Sequence, residues 1–228
     1  MKNTVIIIKK QLMDTMKNKT VLIQFVLFPI LTLIMENAIK LDGMPELFFT
    51  KLFSVMYIGM APLSATAAII SEEKEKNTLR VLMMADVSPL EFLFGVGIYV
   101  WGACMIGACV MATGFEAKDV PFYLAVMGAG FVVSITAGAC IGTAAKSQMA
   151  ATSLVMPVMV VFSFAPMLSM FNDHIKRVAG FFYTQQLSEL FERMSFDGAD
   201  AKGIVILAAN AAVMFMLFFV TFKRKGLE

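Results

Sequence analysis

Charge is what this sequence has least of. Only 16% of its 228 residues are Asp, Glu, Lys or Arg, 59% are hydrophobic, and the mean hydropathy is +0.77. A soluble domain carries about a quarter charged residues, so a water-facing globule of this length is excluded. A net charge of +2 offers no field for nucleic acid. There is one histidine, His174, beside Asp173. A zinc hydrolase needs two on one helix, and an intramembrane serine hydrolase needs one at membrane depth beside its serine, so both classes fall. The three cysteines, Cys104, Cys109 and Cys140, lie within apolar runs, as small packing residues rather than a disulfide or metal set. No Gly-x-x-x-x-Gly-Lys-Ser/Thr pattern occurs, so the chain does not hold ATP in that way. No acid or base sits at the middle of an apolar run, where ion-coupled carriers need one. Those runs offer only weak polar groups such as Ser64, Thr66, Ser134, Thr136, Ser163 and Asn210. Any driving force is therefore expected outside the chain, and no cofactor or metal within it.

What is present is a set of long apolar runs. Six reach the ~20 residues of a membrane crossing or come close to it: 20–39, 52–71, 92–115, 120–145, 147–172 and 203–222. The expected fold is an all-α polytopic membrane protein, one transmembrane unit over 1–228. Before the first span, Val5, Ile8, Leu12 and Met16 recur at helical spacing, with Lys9, Lys10, Asp14 and Lys17 on other faces. Residues 1–19 thus read as an amphipathic helix along the interface or as a basic flank that orients the first span. Met1–Lys19 shows no small-residue cleavage site, so removal as a signal peptide is not expected. Placing the N-terminus inside puts 12 lysines and arginines on inner segments and 7 on outer ones. That bias predicts cytoplasmic termini and a cytoplasmic 72–90 segment.

Pro29, Pro62, Pro157 and Pro166 fall in the first, second and fifth spans. Each removes a helical hydrogen bond, so these spans are expected to bend and to line a path. The third and fourth spans carry Ala103/Gly107, Ala108/Ala112 and Gly138/Gly142, and are expected to pack on each other as a rigid pair. Between the fifth and sixth spans, 173–202 is too long for a simple turn. There Tyr183, Leu187, Leu190, Phe191 and Met194 fall on one helical stripe, predicting a surface or re-entrant helix at the outer leaflet.

The densest charge cluster is Glu72, Glu73, Lys74, Glu75, Lys76 and Arg80. It is followed by an apolar run and the helix-start pair Ser88-Pro89. Charges at bilayer depth cost several kcal/mol, so this insert lies at a membrane face. The run from Ile70 to Leu82, with Thr78-Leu79, then Val87-Ser88 and Glu91 to Gly95, resembles the hallmark of type-2 ATP-binding cassette (ABC) transporter permeases. Asn77 stands where that family usually has Gly, and Asp86 where it usually has Pro. The resemblance implies the membrane subunit of an ABC exporter in a prokaryotic plasma membrane, paired with a second permease copy or sibling. It also implies soluble ATPase subunits that carry the ATP and Mg. By the same resemblance, 72–90 holds a coupling helix between spans two and three. Glu72, Glu73 and Glu75 would make charged contacts with the ATPase, and Thr78, Leu79, Leu82 and Met83 its packed face. A path of Met- and Phe-rich helices suits hydrophobic or amphipathic cargo, such as a peptide, a bacteriocin-like molecule or a drug. The alternatives are a lipid or lipid-linked glycan flippase and a non-transporting sensor or regulatory subunit. A membrane-embedded enzyme lacks its acid–base cluster.

Overall fold

The computed structural model describes residues 2–39, 43, 45–194 and 201–225. Residues 1, 40–42, 44, 195–200 and 226–228, including part of the expected outer segment 173–202, lie outside the described residues. The chain is an all-α polytopic membrane protein. Its helices are α1 (Lys2–Lys17), α2 (Lys19–Ala38), α3 (Phe48–Glu75), α4 (Thr78–Met84), α5 (Pro89–Met111), α6 (Val120–Ala144), α7 (Gln148–Ser169), α8 (Asp173–Ala179), α9 (Tyr183–Arg193) and α10 (Ala201–Lys225). Six of these, α2, α3, α5, α6, α7 and α10, are long and apolar enough to cross a bilayer, as the uncharged runs predict.

The bundle is built around α3. In its apolar window 78% of residues are buried, against 28% in α2 and α7 and none in α10. At 1.5 Å per residue its 28 residues reach about 42 Å, longer than the hydrocarbon core. Its charged last turn therefore projects beyond the apolar slab. Small residues let neighbours approach it closely. A Cβ on Gly138 of α6 would stand 2.4 Å from the Leu63 carbonyl oxygen, and one on Gly59 of α3 would stand 2.6 Å from the Ser163 hydroxyl of α7. The third and fourth spans do pack on each other, with Trp101 of α5 donating to the Gly128 carbonyl of α6 (3.1 Å), but the glycines expected to join them face elsewhere. Gly138 and Gly142 face α3, and Gly107 of α5 faces Tyr57 of α3 and Pro29 of α2. Gly107, Gly138 and Gly142 thus serve the central helix, while Gly95 admits Ile7 of α1 and Gly128 admits Trp101 of α5.

The end of the bundle away from α4 is fastened by hydroxyls and rings. The Ser54 hydroxyl donates to the Thr50 carbonyl (2.6 Å), which leaves the Tyr123 hydroxyl to donate to Ser54 (2.6 Å). Ser134 donates to the Ile58 carbonyl (2.6 Å) and receives the Tyr183 hydroxyl at 2.7 Å. Tyr123 meets Phe191 with ring centroids 5.4 Å apart, and Tyr183 meets Phe162 at 5.1 Å. Tyr183, Leu187 and Phe191 are buried and Leu190 and Met194 half-buried, so the stripe on α9 packs inward as its spacing predicts. Glu36 of α2 accepts from the Thr50 amide (2.8 Å) and hydroxyl (2.9 Å). It thereby occupies one of the orphan backbone donors at the start of α3.

Candidate functional site

The charged last turn of α3 and the short helix after it form a joint on which three other helices converge. Helix α3 stops where Asn77 turns left-handed (φ 56°, ψ 12°), a conformation Asn tolerates better than most residues. Thr78 restarts the chain as α4. Helix α4 ends in a Schellman motif: the Val87 amide donates to Leu82 (3.2 Å), the Asp86 amide donates to Met83 (3.2 Å), and Asp86 has φ 59°. Proline, fixed near −65°, cannot adopt that φ. The departure at Asp86 from the resembled pattern therefore goes with a turn that a proline would not permit. Helix α5 then starts on a capping box: Ser88 accepts from the Glu91 amide (3.2 Å), and the Ser88 amide donates to the Glu91 carboxylate (3.1 Å).

Successive residues on a helix point about 100° apart, so a run of charges at its end reaches in several directions. Glu73 is 7% exposed. Its carboxylate takes Lys10, the Gln11 amide (3.0 Å) and the Thr78 hydroxyl, joining α1, α3 and α4. Lys74 donates to the Thr143 carbonyl at 2.8 Å, near the end of α6. Glu75 accepts from the Gln148 amide at 2.7 Å, at the start of α7. Both links satisfy helix-terminal backbone groups, with the charge sign that each helix end favours. Glu72 pairs with Lys76 four residues on, and that hydrogen bond holds the Lys76 ammonium above its ordinary pKa.

Each of the three glutamates expected to contact a partner is thus engaged within the chain. Of the expected packed face, Leu79 is buried and Thr78, Leu82 and Met83 are half-buried, the last two packed against the core. The side of α4 that faces outward carries Arg80, Val81 and Met84, with Val81 59% and Met84 73% exposed. Sequence reasoning missed Val81 and Met84, although the signal was there. Residues 79, 82 and 83 share one helical face, while Arg80 marks the opposite one, to which 81 and 84 belong. It also missed Lys10 and Gln11, the partners of Glu73.

The prolines divide. Pro29 and Pro62 are buried in the packed interior, Pro157 is exposed on α7, and Pro166 lines two cavities between α7 and α9. The first of these, about 310 Å³, also touches Phe48, Leu52 and Val55 of α3, and the second is about 560 Å³. Among the described residues no group of acids, histidines and cysteines could hold a metal ion. A family model described as "ABC-2 family transporter protein" matches residues 2–220. No curated protein matches the chain.

Proposed function

The chain belongs to the ABC-2 transporter family as the membrane-spanning permease, and we propose that α4 is its coupling helix, seated in a cleft of a soluble ATPase that holds the ATP and Mg. One observation carries this reading. A seven-residue helix keeps Leu79 in the core yet leaves Val81 and Met84 outside the bundle, beside Arg80. Two large apolar side chains standing free on a polar joint suit burial in a partner's pocket. The joint supplies the transmission: a push on α4 reaches α1 through Glu73, α6 through Lys74 and α7 through Glu75. In this reading the α4 end and both termini are cytoplasmic, as the positive-inside bias favours.

Helices α2 and α7 flank α3 and leave large apolar side chains exposed, among them Ile30 and Ile34 on α2 and Met156 and Val160 on α7. A second permease copy meeting these faces would enclose a path for a hydrophobic or amphipathic cargo moving outward, with Pro166 beside its outer cavities. The test is copurification of the tagged chain from its native membrane in mild detergent. A P-loop ATPase accompanies the wild type and the Glu72→Gln variant, and is lost from Val81→Asp/Met84→Asp while the permease itself stays monodisperse. Retention of the ATPase by that double variant removes α4 as the docking helix.

A further inference from the structure

The joint also borders an open cavity of about 710 Å³ where α1 meets α2, roofed by the last turn of α3 and by Thr78. Its acids, Asp14, Glu72 and Glu73, are matched by Lys10, which lies 3.6 Å from Asp14 and also holds Glu73, and by Lys76, which holds Glu72. Two further lysines on the cavity wall, Lys17 and Lys19, have no ion pair among the described residues. Four lysines against three acids leave one positive charge, the complement of one phosphodiester. The depth is set by the chain: Lys19 opens α2, whose crossing window begins at Val21, so the two lysines stand at headgroup level. The adjoining surface is apolar. Val5, Leu12, Met13 and Met16 of α1 and Ile23, Val26 and Leu27 of α2 are all exposed. On α1 these residues form a stripe that also carries the exposed Lys9 and has Lys10 and Lys17 along one edge.

We infer that this cavity seats the phosphodiester headgroup of an anionic phospholipid, held by Lys17 and Lys19, with its acyl chains along the exposed stripe of α1 and α2. Charge at headgroup depth beside a largely apolar face fits a lipid. An acidic loop of a soluble partner would not need the stripe. The bound lipid stands against Lys10, Glu73 and Thr78 and so braces the joint. The inference rests on the membrane placement of α2 and is independent of whether α4 docks an ATPase.

The test is lipid retention by the full chain in detergent, read by native mass spectrometry during titration with phosphatidylglycerol or phosphatidylcholine. Wild type holds phosphatidylglycerol in preference to phosphatidylcholine. Lys17→Gln/Lys19→Gln weakens that binding about 30-fold, the product of two surface lysines, and Lys17→Arg/Lys19→Arg keeps it. Both lysines are exposed, so the substitutions leave the packing untouched, and unchanged helicity by circular dichroism checks this. Equal retention of the two lipids, undiminished binding by the glutamine variant, or complete competition by inorganic phosphate would each overturn the inference. So would a glutamine variant that keeps its lipid but loses a copurifying ATPase, which would make the cavity a protein contact.

Discussion

The two ends of α3 are joined to their neighbours by different chemistry. At the α4 end the links are charged: Glu73 to Lys10, Lys74 to a carbonyl of α6, Glu75 to an amide of α7. At the α9 end they are hydroxyls and rings, Tyr123 on Ser54 and Tyr183 on Ser134, with Phe191 and Phe162 beside them. Glu73 is buried and its link is costly to break, but those of the exposed Glu75 and the half-buried Lys74 can break and reform cheaply, because water takes over each partner. A buried hydroxyl cannot, since an unpaired donor in the apolar interior costs about 1–3 kcal/mol. The α4 end is therefore the one that can rearrange when pushed, and the α9 end holds the helices in register while it does so.

The largest effect should come from breaking what both ends share. A side chain at Gly138 meets the backbone oxygen of Leu63, which cannot swing aside as a side-chain tip could. Gly138→Val is expected to destabilise by at least the upper part of the usual 1–3 kcal/mol range for overpacking, roughly 3 kcal/mol. Gly102→Ala, which has nothing within 4 Å of its new Cβ, should be silent. Thermal unfolding in detergent separates the two, and similar transitions for both variants would show that α3 and α6 are not held at that contact.

Next in size is Glu73→Gln, which attacks the charged end alone. The amide no longer neutralises Lys10, but Lys10 is a third exposed and recovers part of its solvation. The expected loss is about 1–2 kcal/mol, the lower part of the range for an orphaned buried partner. The larger consequence is mechanical. In the assembled transporter, basal ATP hydrolysis should persist while cargo-stimulated hydrolysis falls, because α1 is no longer tied to α4. If stimulation is unchanged, Glu73 is a structural tie only.

Much of this architecture was legible in the chain. Six uncharged runs, the helix-start pair Ser88-Pro89 and the stripe on α9 are local patterns, and local patterns survive folding. What was not legible depended on which neighbour a face meets. On α1 the apolar stripe through Val5, Leu12 and Met16 is exposed, and Ile7, Gln11 and Thr15 are buried instead. In a membrane the most apolar face need not be the packed one, because lipid tails satisfy it as well as protein does. The ties made by the charged cluster were hidden for a related reason. Its charges look like a docking comb in one dimension, but their partners Lys10, Thr143 and Gln148 lie more than sixty residues away. Only a helix end that fans its side chains outward brings them together.

The smallest effect tests the rigid end. Tyr183→Phe removes one hydroxyl while Ser134 keeps its own bond to the Ile58 carbonyl, so the loss should be about 0.5–1.5 kcal/mol. Its pH dependence identifies the cause. Burial raises the Tyr183 pKa above its ordinary value, outweighing the Ser134 hydrogen bond that lowers it. The folded protein therefore keeps the proton after the unfolded chain has begun to lose it, near pH ~10. A raised folded pKa contributes stability that is complete below the unfolded value and fades as pH climbs toward the folded one. The difference in unfolding free energy between wild type and Tyr183→Phe should thus be flat from neutral pH to about 9 and shrink above about 10. A difference that already varies near neutrality would mean that the hydroxyl is not sealed at the α9 end, and that this end is as open to water as the other.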